Sequence, residues 1–280
     1  MDRVSQKLKH WKAQFLIPAG KVILVQSSLA AMPQYVMSCF SLPASMYKSL
    51  DYTSRSFFWS NGTSRQTPTI AWSTICQPKN MEGLDIKKST VMNLALLAKK
   101  GWELLVHPSS LWHSLMKKKY FPHSTFLHAK CPVTASWGWK SICLSRDILL
   151  QGAFHIIGDG QSINPWSDYW IPNHPPLVAP FPIHYSAPTK VLHLTNPVDR
   201  TWRRELILQW WPPDIATAIL SIFIPIFPLA DKIVWCLNSS GKFFVVSAYH
   251  LILNGGRQTS QSLFPWHKIW NLPRLLKSNT

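Results

Sequence analysis

The chain has 280 residues, of which 46% are hydrophobic and 15% charged, so it holds enough apolar material for a buried core and is not a chain disordered throughout. Its formal charge of +17 is unevenly spread: residues 1–130 carry 17 Lys/Arg against 5 Asp/Glu, residues 131–230 carry 6 against 6, and residues 231–280 carry 6 against 1. Clustered cations of this kind favour a polyanionic partner, nucleic acid ahead of an anionic membrane surface.

The five cysteines, Cys39, Cys76, Cys131, Cys143 and Cys236, are dispersed and odd in number, which points to a reducing, intracellular setting rather than a disulfide framework. Met1 to Trp11 is polar and charged, unlike a signal peptide. The longest apolar stretch, Ile215 to Ala230, is short for a span and holds Ser221, Pro225 and Pro228, so it reads as buried core and no membrane partner is expected.

In chain order, the first third reads as helices punctuated by proline. A short basic segment runs from Leu8 to Phe15, and an apolar one from Gly20 to Ala31. Pro33 and Pro43 sit where first helical turns would begin. Ala44 to Trp59 has helical spacing and meets Asn61-Gly62 as a stop. Residues 63–88 lack that period and read as a short hairpin or loop. Ser89 or Thr90 could cap a helix reaching Val106, which Pro108 ends. Ser109 to Tyr120 is a further helix closing on Lys117-Lys118-Lys119. That triplet suits either the negative end of the helix dipole or contact with phosphates.

Beyond Pro132 the pattern changes. Ser136 to Leu150 reads as one helix, and His155 to Ile157 as a strand. Gly158-Asp159-Gly160 reads as a hairpin turn, with Ser162 to Trp166 returning beside that strand. Residues 171–190 are proline-rich and linker-like. Two short strands, Lys232–Cys236 and Lys242–Val245, are expected to pair through Asn238 to Gly241, ahead of a helix from Ser247 to Leu253. The fold class is therefore α+β, mainly α, with a helical N-terminal half and an irregular, proline-rich region of short hairpins. The expected divisions are residues 1–131, 132–190 and 191–280.

Candidate chemistry is sparse. A polymerase palm needs paired carboxylates to hold magnesium, and no Asp-Asp pair occurs. Asp159 and Asp168 are the nearest functional-looking carboxylates, but Asp159 between two glycines fits a turn. His123, His128 and Cys131 approach a zinc set without a clear fourth ligand, Cys143 being twelve residues on. No cofactor and no catalytic residue is expected, and the chain reads as no enzyme. The positive signal is lysine interleaved with aromatics: Lys7, Lys12 and Lys21 early, Lys99 and Lys100 beside Trp102, and Lys117, Lys118 and Lys119 before Tyr120 and Phe121. The same pattern also describes amphipathic helices with Trp inside and Lys outside.

Six ordered blocks carry a resemblance. They are Leu8-x-x-Trp11-Lys12 with Ala19-Gly20-Lys21 and Leu42-Pro43; Phe57-Phe58-Trp59 through Ile70-x-Trp72 to Gly83-Leu84-x-Ile86; and Asn93-x-Ala95-Leu96-Leu97-Ala98-Lys99 to Lys119-Tyr120-Phe121. Then come Ser136-Trp137-x-Trp139-Lys140, Ile157-Gly158-Asp159-Gly160 to Trp166-x-Asp168-x-Trp170, and Asp231-x-Ile233-x-Trp235 to Trp266-x-x-Ile269-Trp270. In this order they resemble the region after the palm of plant non-LTR (LINE-type) retrotransposon reverse transcriptases. The resemblance implies a thumb-like grip over residues 1–131 and, over residues 191–280, the start of the family's zinc-binding region. It also implies backbone contacts to an RNA–DNA template–primer by the lysines named above, in a non-catalytic fragment, nuclear if the element is functional. Glu82 and Asp85 depart from it, standing where the family often has glycine, and Lys21 stands where arginine is frequent. The alternative reading is a tryptophan-rich protein-interaction module.

Overall fold

The computed structural model describes residues 16–60, 68, 70–174, 187–227 and 229–256. These fall into two compact units divided between Arg146 and Asp147. Helices dominate, and a single two-stranded sheet is the only sheet among the described residues, so the fold is α+β and mainly α.

In the first unit, α1 (Pro18–Leu24) runs directly into a π-helical turn, Val25–Leu29. The prolines then set the joints: Pro33 precedes α2 (Gln34–Cys39) and Pro43 precedes α3 (Ala44–Trp59). Each proline occupies a position whose N–H the helix does not use. The core here gathers Val25, Leu29, Phe57, Ile75, Cys76 and Ile86, with Met37, Leu42 and Leu50 forming a second cluster. Burial pushes the Cys76 thiol up to about 12, so it is an inert core group.

Between α3 and the next long helix the expected hairpin or loop is, among the described residues, a loop that folds back on itself, the Leu84 N–H donating to the Ile75 carbonyl at 2.9 Å. It includes α4 (Trp72–Ile75) and a 3-10 turn, Lys79–Met81. The turn folds back so tightly that a Cβ on Gly83 would lie 1.9 Å from the Gln77 carbonyl oxygen. Glu82 (φ 62°) and Asp85 (φ 54°) are both left-handed, the conformation glycine adopts without steric cost. The two departures noted in sequence therefore fall at backbone positions that favour glycine.

α5 (Ser89–Val106) forms where expected, but Ser89 does not cap it. The Ser89 hydroxyl donates instead to Asp51 on α3 at 2.6 Å. Asn93 pins α5 to the α2–α3 joint. Its side chain accepts from the Leu42 N–H (3.0 Å) and the Tyr47 hydroxyl, and donates to the Met37 and Phe40 carbonyls (2.5 and 2.9 Å). A wholly buried amide thus has all its ordinary partners. α6 (Leu111–Tyr120) is capped by Ser110, whose hydroxyl accepts from the His113 N–H at 3.1 Å.

The expected single helix over Ser136–Leu150 is two, α7 (Trp137–Cys143) and α8 (Arg146–Gly152). Ser145 causes the break: its N–H and hydroxyl both donate to the Ile142 carbonyl, three residues back.

In the second unit, β1 (Ala153–Ile156) pairs antiparallel with β2 (Lys232–Trp235), in register Ala153 with Trp235 through Ile156 with Lys232. Both local hairpins expected from sequence are therefore corrected. Residues 162–166 do not return beside β1, and residues 242–244 lead into α11 (Val245–Leu253) rather than pairing with β2. The turn at Asn238–Gly241 does form, closed by Gly241 N–H to the Asn238 carbonyl at 3.0 Å. Before β2 lie α9 (Arg204–Trp210) and α10 (Pro213–Leu220). Their Ile207, Ile215, Ala216 and Ile219 pack with Ile163, Trp166 and Trp170 into the main core of this unit. Burial stops short of the expected Ile215–Ala230 stretch, because Ile226, Phe227 and Leu229 are exposed. Among the described residues no helix is long and apolar enough to cross a membrane.

Candidate nucleic-acid interface

Of the eight lysines singled out in sequence, Lys7 and Lys12 lie outside the described residues. Lys21 is 4% exposed, and its ammonium donates to the Ser60 carbonyl at 2.5 Å, tying α1 to the end of α3. It is a structural cation, which removes it from the surface set.

The remaining five lie on α5 and α6. Lys99 is exposed, and Lys100 is half-buried with its ammonium 2.9 Å from Glu103 one turn on. α6 is joined to α5 by the His113 ring, whose Nδ1 lies 2.8 Å from the Leu104 carbonyl oxygen. Lys117, Lys118 and Lys119 fill the last turn of α6 and all are exposed. Consecutive helical residues diverge by about 100°, so the three fan around the helix end instead of sharing one face. Among the described residues Lys99, Lys117 and Lys118 have no ion-pair partner. The triplet therefore serves the dipole and still offers its charge outward, and the two readings of it are compatible.

Beyond the triplet the chain builds an aromatic cluster. Tyr120 stacks on Trp139 (centroids 4.4 Å apart, planes 6° apart), and Phe121 lies nearly parallel to Trp139 at 5.6 Å. The Tyr120 hydroxyl and Ser136 Oγ are 2.9 Å apart, and Lys119 Nζ lies 5.3 Å from the Tyr120 ring centre. The Ser136 hydrogen bond, with help from Lys119, holds the Tyr120 phenol below its ordinary range. Trp139 is buried, whereas Trp137 is 55% exposed with its ring stacked on Phe40 at 5.1 Å. Sequence reasoning gave Trp137 no role. The signal was present, since residues two apart on a helix diverge by about 200° and cannot both face one core.

The other candidates fall apart in space or serve the fold. Among the described residues no three His, Cys, Asp or Glu side chains lie close enough to hold a metal ion. His128 Nδ1 pairs with Thr125 Oγ1 at 2.9 Å. Burial, with a hydrogen bond to Cys131, pushes the Cys143 thiol up to about 12. Asp159 accepts from the Gln161 N–H at 3.0 Å, as a turn aspartate does, and Asp168 accepts from the Asn164 N–H at 2.8 Å.

The carboxylate with the richest set of donors is Asp231, which sequence reasoning also left without a role. Its Oδ1 accepts from the N–H groups of Gly158 (2.7 Å) and Gly160 (2.8 Å), and its Oδ2 from the N–H (2.9 Å) and hydroxyl (2.8 Å) of Ser162. Burial works to raise its pKa, but these four donors outweigh it and hold the carboxyl below its ordinary value. The glycine turn thus cradles an internal anion.

No protein-family model matches the chain, and no solved structure matches it. A protein of Arabidopsis thaliana named "Putative ribonuclease H protein At1g65750" is 31% identical over 268 residues, which is 90% of this chain and 42% of that protein. The chain thus spans about two fifths of that relative's length. The "Uncharacterized mitochondrial protein AtMg00310" of the same plant is 34% identical over 149 residues, which is 52% of this chain and 97% of that protein. The first match overturns the expectation that the chain is no enzyme. It aligns nine tenths of the chain with a protein named for an enzyme. Because the second match takes in almost the whole of the relative, this chain belongs to the family of that Arabidopsis mitochondrial protein.

Proposed function

We propose that the chain is a stretch of a plant non-LTR retrotransposon reverse transcriptase, taken from the region after the palm, and that it grips nucleic acid through the phosphate backbone. In this reading residues 1–131 act as a thumb-like region, residues 132–190 as a small α+β region with linker, and residues 191–280 as the beginning of the zinc-binding region. Lys99, Lys100, Lys117, Lys118 and Lys119 make the contacts, joined by Lys7 and Lys12. The observation that carries the reading is the fan of three exposed ammonium groups closing α6, with Lys99 and Lys100 on the preceding helix α5, in a half of the chain with twelve more cations than anions. Such groups bind by releasing counterions and read no sequence. The six ordered blocks and the ribonuclease name of the longer relative fit the same class of partner.

The tryptophans do not favour the protein-interaction alternative. Trp102, Trp139, Trp166, Trp170, Trp211 and Trp235 are all buried, and among the described residues Trp137 is the one exposed tryptophan. The test is titration of an RNA–DNA duplex at about 50 and 200 mM salt. The five lysines of α5 and α6, one phosphate contact each, predict roughly a five-hundredfold loss of affinity between the two. Binding that is absent, or indifferent to salt, rejects the proposal.

A further inference from the structure

The nucleic-acid reading treats all contacts as backbone contacts, yet one aromatic surface adjoins the cations. From Lys119 the contacts run without a gap to Tyr120 (5.3 Å), from the Tyr120 hydroxyl to Ser136 Oγ (2.9 Å), and on to the next residue, Trp137. Trp137 is held rather than loose. One face lies on Phe40, with planes 27° apart, and the following strand of contacts fixes α7 in place, the Ser41 N–H donating to Ser141 Oγ at 2.9 Å. With 55% of its surface exposed, the rest of the indole is open. A large apolar ring kept at the surface by its neighbours, linked through Ser136 and Tyr120 to the Lys119 ammonium, matches the two needs of unpaired nucleic acid. It offers a flat surface for a base and cations for the adjoining phosphates. A base in a duplex is already stacked on both sides and has no face to offer such a ring.

We propose that Trp137, linked through Ser136 to Tyr120 and Lys119, is a stacking platform for an unpaired base of single-stranded RNA or DNA. The proposal rests on the nucleic-acid reading above and refines it, assigning Trp137 to a single-stranded segment next to the duplex whose backbone the lysines hold.

The test uses the full chain and fluorescence anisotropy with two probes, a labelled oligothymidylate of about twelve nucleotides and a blunt A·T duplex of equal length. Trp137→Ala is expected to weaken oligothymidylate binding about tenfold, to leave duplex binding within about twofold, and to leave the salt dependence unchanged. Trp137→Phe is expected to restore most of the affinity. Trp137→Leu keeps apolar contact with Phe40 without an aromatic face and is expected to behave as Trp137→Ala, which guards against a folding defect in the smaller variant. Equal losses on both probes, or no loss on either, overturns the platform while the backbone reading stands. Failure of the unaltered chain to bind either probe overturns both.

Discussion

Four residues show how single positions set this fold. Asn93 closes four hydrogen bonds inside a 0% exposed site, so Asn93→Leu strands two carbonyls, an N–H and a hydroxyl. It should lower stability by about 3 kcal/mol, read as a shift of the urea midpoint at unchanged slope. Asp231 acts through charge as well as geometry. Its folded carboxyl titrates below the ordinary value of 3.8, so its contribution is complete above that value and is lost as pH falls through the lower, folded one. Asp231→Asn should cost about 2 kcal/mol at neutral pH and flatten the acid limb of the stability profile below about pH 4. A variant with an unaltered acid limb would show the cradle contributes nothing. Neighbouring turn residues have opposite expectations. Glu82→Gly removes a side chain from left-handed backbone and should stabilise by up to about 1 kcal/mol. Gly83→Ala drives a Cβ into the Gln77 carbonyl and should destabilise by several times as much. Thermal unfolding of the pair checks the contrast.

At the scale of elements, what could be read from sequence was local. α3 has the expected bounds, Ala44–Trp59, because proline fixes its entry and the apolar spacing is helical throughout. The end of α5 at Val106 and of α6 at Tyr120 were equally legible from Pro108 and the lysine triplet. All but one of the failures were of partnership at a distance, the exception being the local break at Ser145. The Gly158-Asp159-Gly160 turn looks like a hairpin corner because its residues suit one, yet its N–H groups belong to a carboxylate some seventy residues later. β1 and β2 likewise pair across most of the second unit, and neither strand carries a mark naming the other. Ser145 broke a helix through a hydroxyl that could equally have pointed to solvent. Gly158 offers a direct check on the distant lock: Gly158→Ala would place a Cβ 2.2 Å from the Leu229 carbonyl oxygen and should destabilise the second unit by more than about 2 kcal/mol in denaturant titrations. A tolerated alanine would mean that this close approach is not maintained.

For the whole molecule, the candidate site was legible as composition and less so as geometry. The excess of cations in residues 1–130 and their pairing with aromatics stand in the sequence. Which lysines face out does not: Lys21 has the same local pattern as Lys99 and is buried against Ser60. The family link came from similarity over about half of the chain; the longer relative corrected the inference drawn from missing carboxylates, a negative that a chain spanning about two fifths of that relative cannot support. The central claim, that the outward cations of the first unit hold nucleic acid by its phosphates, is tested most directly by the salt dependence of binding in a Lys117→Ala, Lys118→Ala, Lys119→Ala variant. Against an RNA–DNA duplex, the slope of log K on log salt should fall by about 2 to 3 relative to the unaltered chain, with affinity lost evenly across probe sequences. An unchanged slope, or a loss confined to one sequence, would contradict it.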